Sequence, residues 1–266
     1  MMNAISLSTA LKTEAVLEEI FGKDLHKKRQ QSLAFASMGV LGSSTLFLHD
    51  LGESLAKSLG KNKKHTTKQI DRLLSNKGIS IWELSAQWVP YVLRNQKHAK
   101  VILDWTSFAD DKQYMLSLNI LTGKGVSTPL LWKTVDATLM KHNRARYEDQ
   151  LLSRLKEVIP VDIEVTLVAD RGFADQKFFK FLDEELNFNY IIRIKSNTII
   201  THKNTSKKAI EWMRNDNRAL SLEKAQITLQ AYEVNQVVIV KDKEMKAPWI
   251  LVSNSKLKTR EMINLH

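Results

Sequence analysis

The sequence contains no cysteine, which excludes disulfides and thiolate metal sites and suits a reducing compartment. No apolar run reaches the ~20 residues of a membrane-spanning helix. The first residues include Glu14, Glu18 and Glu19, unlike a secretory signal. There is no phosphate-binding glycine loop, and the 7 histidines show no paired metal-ligand spacing. Internal repeats and low-complexity segments are also lacking. These absences lead us to expect a soluble, intracellular protein without membrane partners. Acidic residues are the scarcer charge, with 29 Asp and Glu against 40 Lys and Arg.

The resulting net charge of +11 is uneven, because residues 1–100 carry 15 basic and 8 acidic side chains. A basic excess favours polyanions, nucleic acid first among them, although solubilising surface charge gives the same composition. At 266 residues and 43% hydrophobic content, the chain can bury one large core or two smaller ones.

The first hundred residues read as helices throughout. Leu11, Val16 and Ile20 mark one apolar face, and Leu33, Ala36 and Val40 a second. Phe47, Leu51, Leu55 and Leu59 recur every fourth residue before Gly60. Lys57 to Lys77 then holds seven basic residues and one acid, Asp71. Lys61, Lys63 and Lys64 are expected in a linker, with Thr66 or Thr67 capping a short helix that reaches Ser75. On that helix Lys68 and Arg72 share a face, and Ile70, Leu73 and Leu74 point elsewhere. The pattern fits a helix-turn-helix docking on DNA, and equally a solvated surface helix. Ser80 and Glu83 have capping-box spacing ahead of Trp82, Trp88, Val89 and Val92, with Pro90 kinking or shortening that helix.

Beyond Lys100 the period changes. Val101 to Asp104 reads as a strand, Tyr114 to Ile120 as a second, and Thr128 to Val135 as a third with Leu130 and Trp132 on one face. Thr122 to Gly125 is the turn between the last two. A helix follows with Tyr147, Leu151, Leu152, Leu155 and Val158 inward, and Pro160 after its end. The segment TLVADRGF, from Thr166, reads as a buried strand delivering Asp170, with Gly172 permitting a sharp turn into a helix over Ala174 to Leu186. Asn189 to Ile194 is a fifth strand. This order, β-β-β-α-β-α-β, is that of a ribonuclease-H-like core. Ala225 to Leu229, Val234 to Val240 and Trp249 to Val252 form a β-rich insertion, with a short helix at Glu211 to Met213. A last helix begins at Leu257. The fold expected is α/β, with boundaries at 1–98 (helical), 99–198 (core), 199–253 (insertion) and 254–266 (start of a further helix).

Asp104 and Asp170, each at the carboxyl end of an apolar strand, form the start of a hard-cation site for Mg²⁺ or Mn²⁺. Two such ions about 3.5–4 Å apart support phosphodiester cleavage, and the second normally needs a third carboxylate. An aspartate at a strand end also serves as a turn residue or helix cap. Arg171 holds either a DNA phosphate or a salt-bridge partner. Asp110 and Asp111 read as hairpin-turn acids, Asp162 and Glu164 as strand-start acids, and Trp105, Trp132 and Trp249 as core.

Five pieces carry a family likeness: RLLSN from Arg72, VILDWTSF from Val101, PLLWKTV from Pro129, LVADRGF from Leu167 and YIIRIKSN from Tyr190. With ILVSNSKLKTREMINL, ending at Leu265, they resemble the DDE transposases of bacterial insertion sequences, in the branch called the IS four family. The resemblance implies an N-terminal domain that binds the terminal inverted repeats. It also implies a ribonuclease-H-like domain that cuts and joins double-stranded DNA, with Asp104 and Asp170 the first two metal-binding acids. A homodimer in the synaptic complex and a cytoplasmic, nucleoid-associated location in a bacterium go with it.

One departure stands out. The family carries its third acid in a Tyr-x-x-Arg-x-x-x-Glu signature, with a later Lys, on the helix after the insertion. This sequence ends at His266, where that signature is due to start, and Glu261 belongs to the lead-in. The expectation is therefore a truncated chain with impaired catalysis. Two alternatives stand beside it: a non-catalytic DNA-binding fragment competing with an intact transposase, and a different nuclease on the same core.

Overall fold

The computed structural model describes residues 7–265 apart from 123–125, 215, 217, 229 and 242–244. The chain divides into two compact units, Met1–Val92 and Leu93–His266.

The first unit is helical: α1 (Leu7–Phe21), α2 (Lys27–Gly42), α3 (Leu48–Leu59), α4 (Lys63–Leu74) and α5 (Ile81–Leu93). Its core gathers Ala10, Met38, Leu51, Leu55 and Ile70, with a second cluster of Ile20, Phe21 and Leu25 against Trp88 and Tyr91. Two inward faces differ from those expected. Leu11 and Val40 are 61% and 44% exposed, while the small residues Ala10, Ala34 and Gly39 turn inward, so close helix approach decides the face. Close approach also explains Gly52, where an added Cβ would lie 2.0 Å from the Thr67 hydroxyl. Gly60 ends α3 in the left-handed conformation, φ 61°.

Helix α4 starts earlier than Thr66. The Asn62 side chain caps it by accepting from the Lys64 amide at 2.9 Å, so Lys63 and Lys64 lie in its first turn rather than in a linker. Thr66 is buried and donates to the Gly52 carbonyl at 2.6 Å, tying α4 to α3. Ile70 is buried, but Leu74 is 73% exposed and does not belong to the inward face. In α5 the Ser80 hydroxyl accepts from the Glu83 amide at 3.3 Å, and the helix runs on past Pro90.

The second unit is one mixed ten-stranded sheet with helices packed on it. Its elements are β1 (His98–Phe108), β2 (Gln113–Leu121), β3 (Ser127–Asp136), α6 (Ala137–Met140), α7 (Arg144–Val158), β4 (Glu164–Ala169), α8 (Gln176–Lys180) and β5 (Asn189–Arg193). Then follow β6 (Ile199–His202), β7 (Thr205–Lys208), a 3₁₀ turn at Ala209–Trp212, β8 (Leu220–Ile227), β9 (Tyr232–Val240), β10 (Trp249–Ser253) and α9 (Thr259–Leu265). The sheet order is β3-β2-β1-β4-β5-β10-β9-β8-β6-β7. β1, β2 and β3 pair antiparallel, whereas β1–β4 and β4–β5 are parallel.

The strands after residue 198 continue the sheet, because β10 pairs antiparallel with β5 from Ser253↔Ile191 to Leu251↔Arg193. Tyr190 stacks on Phe179 of α8 at 5.3 Å, and its neighbour Ile191 packs against Met262 of α9. Adjacent strand residues face opposite ways, so β5 is covered on both sides, and its continuous apolar run follows.

Several local expectations change. The stretch expected as one helix over Ala174 to Leu186 is a 3₁₀ turn at Arg171–Phe173, then α8, then a π-helical turn at Phe181–Leu186. Leu130 and Trp132 do not share a face. The β2–β3 register slips at Leu118/Asn119, leaving Leu130 as the extra residue, so Leu130 and Leu131 are both buried and Trp132 is 36% exposed. The final helix starts at Thr259 rather than Leu257. Of the turn at Thr122, positions 123–125 lie outside the described residues, as does Leu229.

Candidate active site

The parallel ladder between β1 and β4 runs from His98↔Glu164 to Leu103↔Ala169. Asp104 is the next residue of β1 and Asp170 the first after β4, so the register brings the two to adjoining backbone positions on one pocket. Leu103, Leu167 and Ala169, all 2% exposed or less, fix the strands beneath them. Both aspartates are exposed.

Asp104 is not at a strand end, as the apolar run alone implied. β1 continues to Phe108, because past Leu103 it keeps its antiparallel partner, with Asp104 opposite Ser117. What ends at Asp104 is the parallel ladder, and the divergence of β4 opens a pocket of about 320 Å³. Asp170 precedes the 3₁₀ turn at Arg171–Phe173, and its side chain makes no capping hydrogen bond. Its nearest cation is Arg193, Nη1 to Oδ1 3.8 Å. The Asp104 side chain makes no hydrogen bond or ion pair among the described residues.

The pocket wall brings in residues that the sequence pattern had not singled out as functional. Trp105 and Phe173 line it, together with Tyr114, Met140 and Arg144. Glu148, one turn along α7 from Arg144, is only 6% exposed. Its Oε1 accepts from the Trp105 indole at 2.7 Å and from Arg144 Nε at 2.8 Å. The Arg144 guanidinium lies 5.8 Å from the Trp105 ring and 5.2 Å from the Phe173 ring. The i,i+4 spacing of Arg144 and Glu148 was a usable signal, and so was an acid in line with Leu151, Leu152 and Leu155.

Gly172 has an ordinary backbone, since Gly60 is the positive-φ glycine among the described residues. Its value is room: a Cβ there would stand 3.2 Å from Arg144 Nη2. Trp105 is a half-buried pocket wall rather than core, whereas Trp249, also half-buried, packs on the core cluster of Ile191, Val238, Leu251 and Met262, with the Arg193 guanidinium 5.7 Å from its ring.

The remaining candidates are spread over both units. Arg171 is exposed and makes no ion pair among the described residues, so Arg193 is the arginine beside Asp170. Arg171 and Arg193 line a small pocket of about 90 Å³ with Ser196. In the helical unit Lys64, Lys68 and Arg72 are exposed, and Arg72 lines a pocket of about 380 Å³ with His65, Gln69 and Asn76. Lys61 lies over the Phe35 ring at 5.4 Å, and Lys63 is engaged by Glu53. Lys57 and Lys63 hold the Glu53 carboxyl down at about 2, through hydrogen bonds from Lys57 first and Lys63 second. Asp110 and Asp111 are exposed in the β1–β2 turn, and Asp162 pairs with Lys97 at 2.9 Å, which lowers its pKa.

Two exposed carboxylates on adjoining backbone positions suit a hard divalent cation, with water or substrate oxygens completing its shell. Among the described residues no group of three or more His, Cys, Asp or Glu could hold a metal, so two is the number of acids this rim presents.

Among solved structures, the chain is similar to Marinitoga piezophila Argonaute in complex with 5′ OH guide RNA, at 8% identity and a TM-score of 0.30. That match covers 98% of this chain and 47% of the other, so the chain spans about half that protein's length. The same Argonaute with guide RNA and target DNA matches at 9% identity and a TM-score of 0.25, over 78% of this chain and 30% of that one. Scores this low transfer neither fold nor role. No curated protein matches the chain. The family model described as Transposase DDE domain matches residues 95–260, which takes in both aspartates and every strand of the sheet. More than half of the chain lies inside that match, and the chain belongs to the Transposase DDE domain family.

Proposed function

We propose that this chain is an insertion-sequence DDE transposase of the IS four branch, acting on DNA ends through a metal held by Asp104 and Asp170. The observation that carries the proposal is the β1–β4 register, which sets those carboxylates together on the rim of an open pocket. The order β3-β2-β1-β4-β5, antiparallel for three strands and parallel for the next two, supports a ribonuclease-H-like core. Strands β6 to β10 then form the β-rich insertion added to its edge.

Asp104 and Asp170 would hold Mg²⁺ or Mn²⁺. When bound, such an ion activates a water or 3′ hydroxyl and stabilises the leaving oxygen of a phosphodiester. The chain's own residues do the rest. Arg193 moderates the charge on Asp170, and Trp105 and Phe173 wall the pocket. In the helical unit, α4 presents Lys68 and Arg72 to the terminal repeats, with Lys61, Lys63 and Lys64 as further phosphate contacts; in the sheet unit Arg171 is a separate phosphate contact. A homodimer in the synaptic complex and a bacterial nucleoid location belong to the same proposal.

The two acids that line the pocket among the described residues hold a metal weakly by themselves, and turnover through them is slow. A second reading follows from that count: a DNA-binding chain that competes for element ends without cutting them. Incubating the full chain with supercoiled plasmid and Mn²⁺ separates the two. The lead reading expects slow nicking that disappears in Asp104→Asn and Asp170→Asn. It also expects DNA binding whose salt dependence weakens by about one to two phosphate contacts in a Lys68→Ala, Arg72→Ala double variant. Binding without any nicking selects the second reading. Nicking that survives both Asp→Asn changes overturns the lead.

A further inference from the structure

We propose that Arg144 is the group that grips the phosphodiester in the acid-pair pocket, and that Glu148 and Trp105 exist to aim it. This deepens the proposed function and rests on the reading of Asp104 and Asp170 as metal ligands.

The starting observation is a buried acid without an obvious role. Glu148 sits among leucines on the inward face of α7, where an uncompensated carboxylate is costly. Its Oε1 takes two donors, the Trp105 indole at 2.7 Å and Arg144 Nε at 2.8 Å. An ordinary surface pair at i,i+4 spacing has neither the burial nor the second donor.

The way the arginine is held then matters. Gripping it through Nε commits one edge of the guanidinium to Glu148 and leaves both Nη groups without a hydrogen-bond partner among the described residues. Two aromatic rings, Trp105 and Phe173, stand against the guanidinium at 5.8 and 5.2 Å, and the missing Cβ of Gly172 clears the space beside Nη2. A fork with one edge fixed and the other open is the geometry that takes two oxygens of a phosphate.

Its neighbours define what the open edge would meet. Arg144, Asp104 and Asp170 line the same pocket of about 320 Å³, yet Arg144 forms no ion pair with either aspartate. A cation and two carboxylates that share a pocket without neutralising one another leave room for an anion between them. A phosphodiester fits: its oxygens would meet the open edge of Arg144, beside Asp104 and Asp170, which would hold a divalent cation. Trp105 follows Asp104 directly in β1, so the strand that carries the first acid also carries a donor that fixes Glu148. Trp105 and Glu148 are thus positioning residues.

The test titrates the full chain, in Mg²⁺, with the thymidine dinucleotide d(TpT), following the ¹⁵N–¹H resonances of arginine Nε. One resonance, identified by its loss in Arg144→Lys, should shift saturably with the dinucleotide. Arg144→Gln should weaken binding roughly tenfold, and Arg144→Lys should restore only part of it, because lysine cannot be held by one edge. Glu148→Gln should displace the Arg144 resonance before any ligand is added and weaken binding a few-fold. Absence of dinucleotide binding overturns the proposal. So does an affinity unchanged in Arg144→Gln when Asp104→Asn lowers it. If Mg²⁺ and Asp104→Asn both leave the affinity unaltered while Arg144→Gln still weakens it, the metal reading fails and the arginine's grip on phosphate stands.

Discussion

At the scale of single residues, Glu148 carries the most consequence for the candidate site. It is the one acid of α7 that the packing buries, and it satisfies an indole and a guanidinium at once. Glu148→Ala removes the acceptor from both and leaves a hole beside Leu151 and Leu152. We expect a loss of about 2–4 kcal/mol in urea unfolding, at the lower end because Arg144 is 46% exposed at its side chain and can turn to solvent. A change below ~0.5 kcal/mol would show that the pair is ornamental to the fold. The sequence made the two aspartates visible, because a carboxylate after an apolar run stands out. Glu148 was hidden in the same sequence, since an acid at an inward helix position looks like an error in the apolar pattern until its donors are known. Gly172 was visible, and the expected turn is there at Arg171–Phe173. The sequence did not show that the same glycine also makes space for a side chain from another element.

Among the elements, α4 shows what a cap does to an interpretation. Starting at Asn62 instead of Thr66, it gains a turn, draws Lys63 and Lys64 into the helix, and frees Thr66 to bind α3. The second tie between α3 and α4 is ionic, with Glu53 of α3 accepting from Lys63 of α4 and from Lys57 of its own helix. The Glu53 carboxyl falls from 4.5 to about 2 on folding. A depressed pKa contributes stability that is complete above the unfolded value and is lost as pH drops through the folded one. The contribution should therefore fade between about 4.5 and about 2, and its size is limited because the side chain is 39% exposed. Acid titrations of stability for the full chain and Glu53→Gln should converge towards pH 2, with the wild type ahead at neutral pH. Parallel curves across that window would show that Glu53 is not the group responsible. Element order in the second unit followed from periodicity. Element ends did not, because β1 is prolonged by its hairpin partner and the π-helical turn at Phe181–Leu186 answers to packing rather than to local propensity.

For the molecule as a whole, the two units follow from different parts of the sequence. The helical one rests on residues 1–92, with 12 basic and 8 acidic side chains, and the sheet unit supplies the two aspartates of the candidate site. Alternation and apolar runs disclosed most strands, but not that β10 would close on β5 and make ten strands a single sheet. That pairing joins residues about sixty positions apart, and no local pattern reports it. The same long-range pairing logic brings Asp104 and Asp170 together, so the site exists only in the folded chain, and anything it binds must stabilise the fold. Thermal unfolding of the full chain with and without millimolar Mn²⁺ therefore tests the central claim most directly. Without metal, Asp104→Asn and Asp170→Asn should melt at or slightly above the wild type, because each relieves the juxtaposition of two carboxylates. Mn²⁺ should raise the wild-type midpoint by a few degrees, as expected for ~1 kcal/mol of linkage, and should leave both variants unmoved. An equal Mn²⁺ shift in all three proteins, or none in the wild type, would contradict the assignment of a metal to this pair.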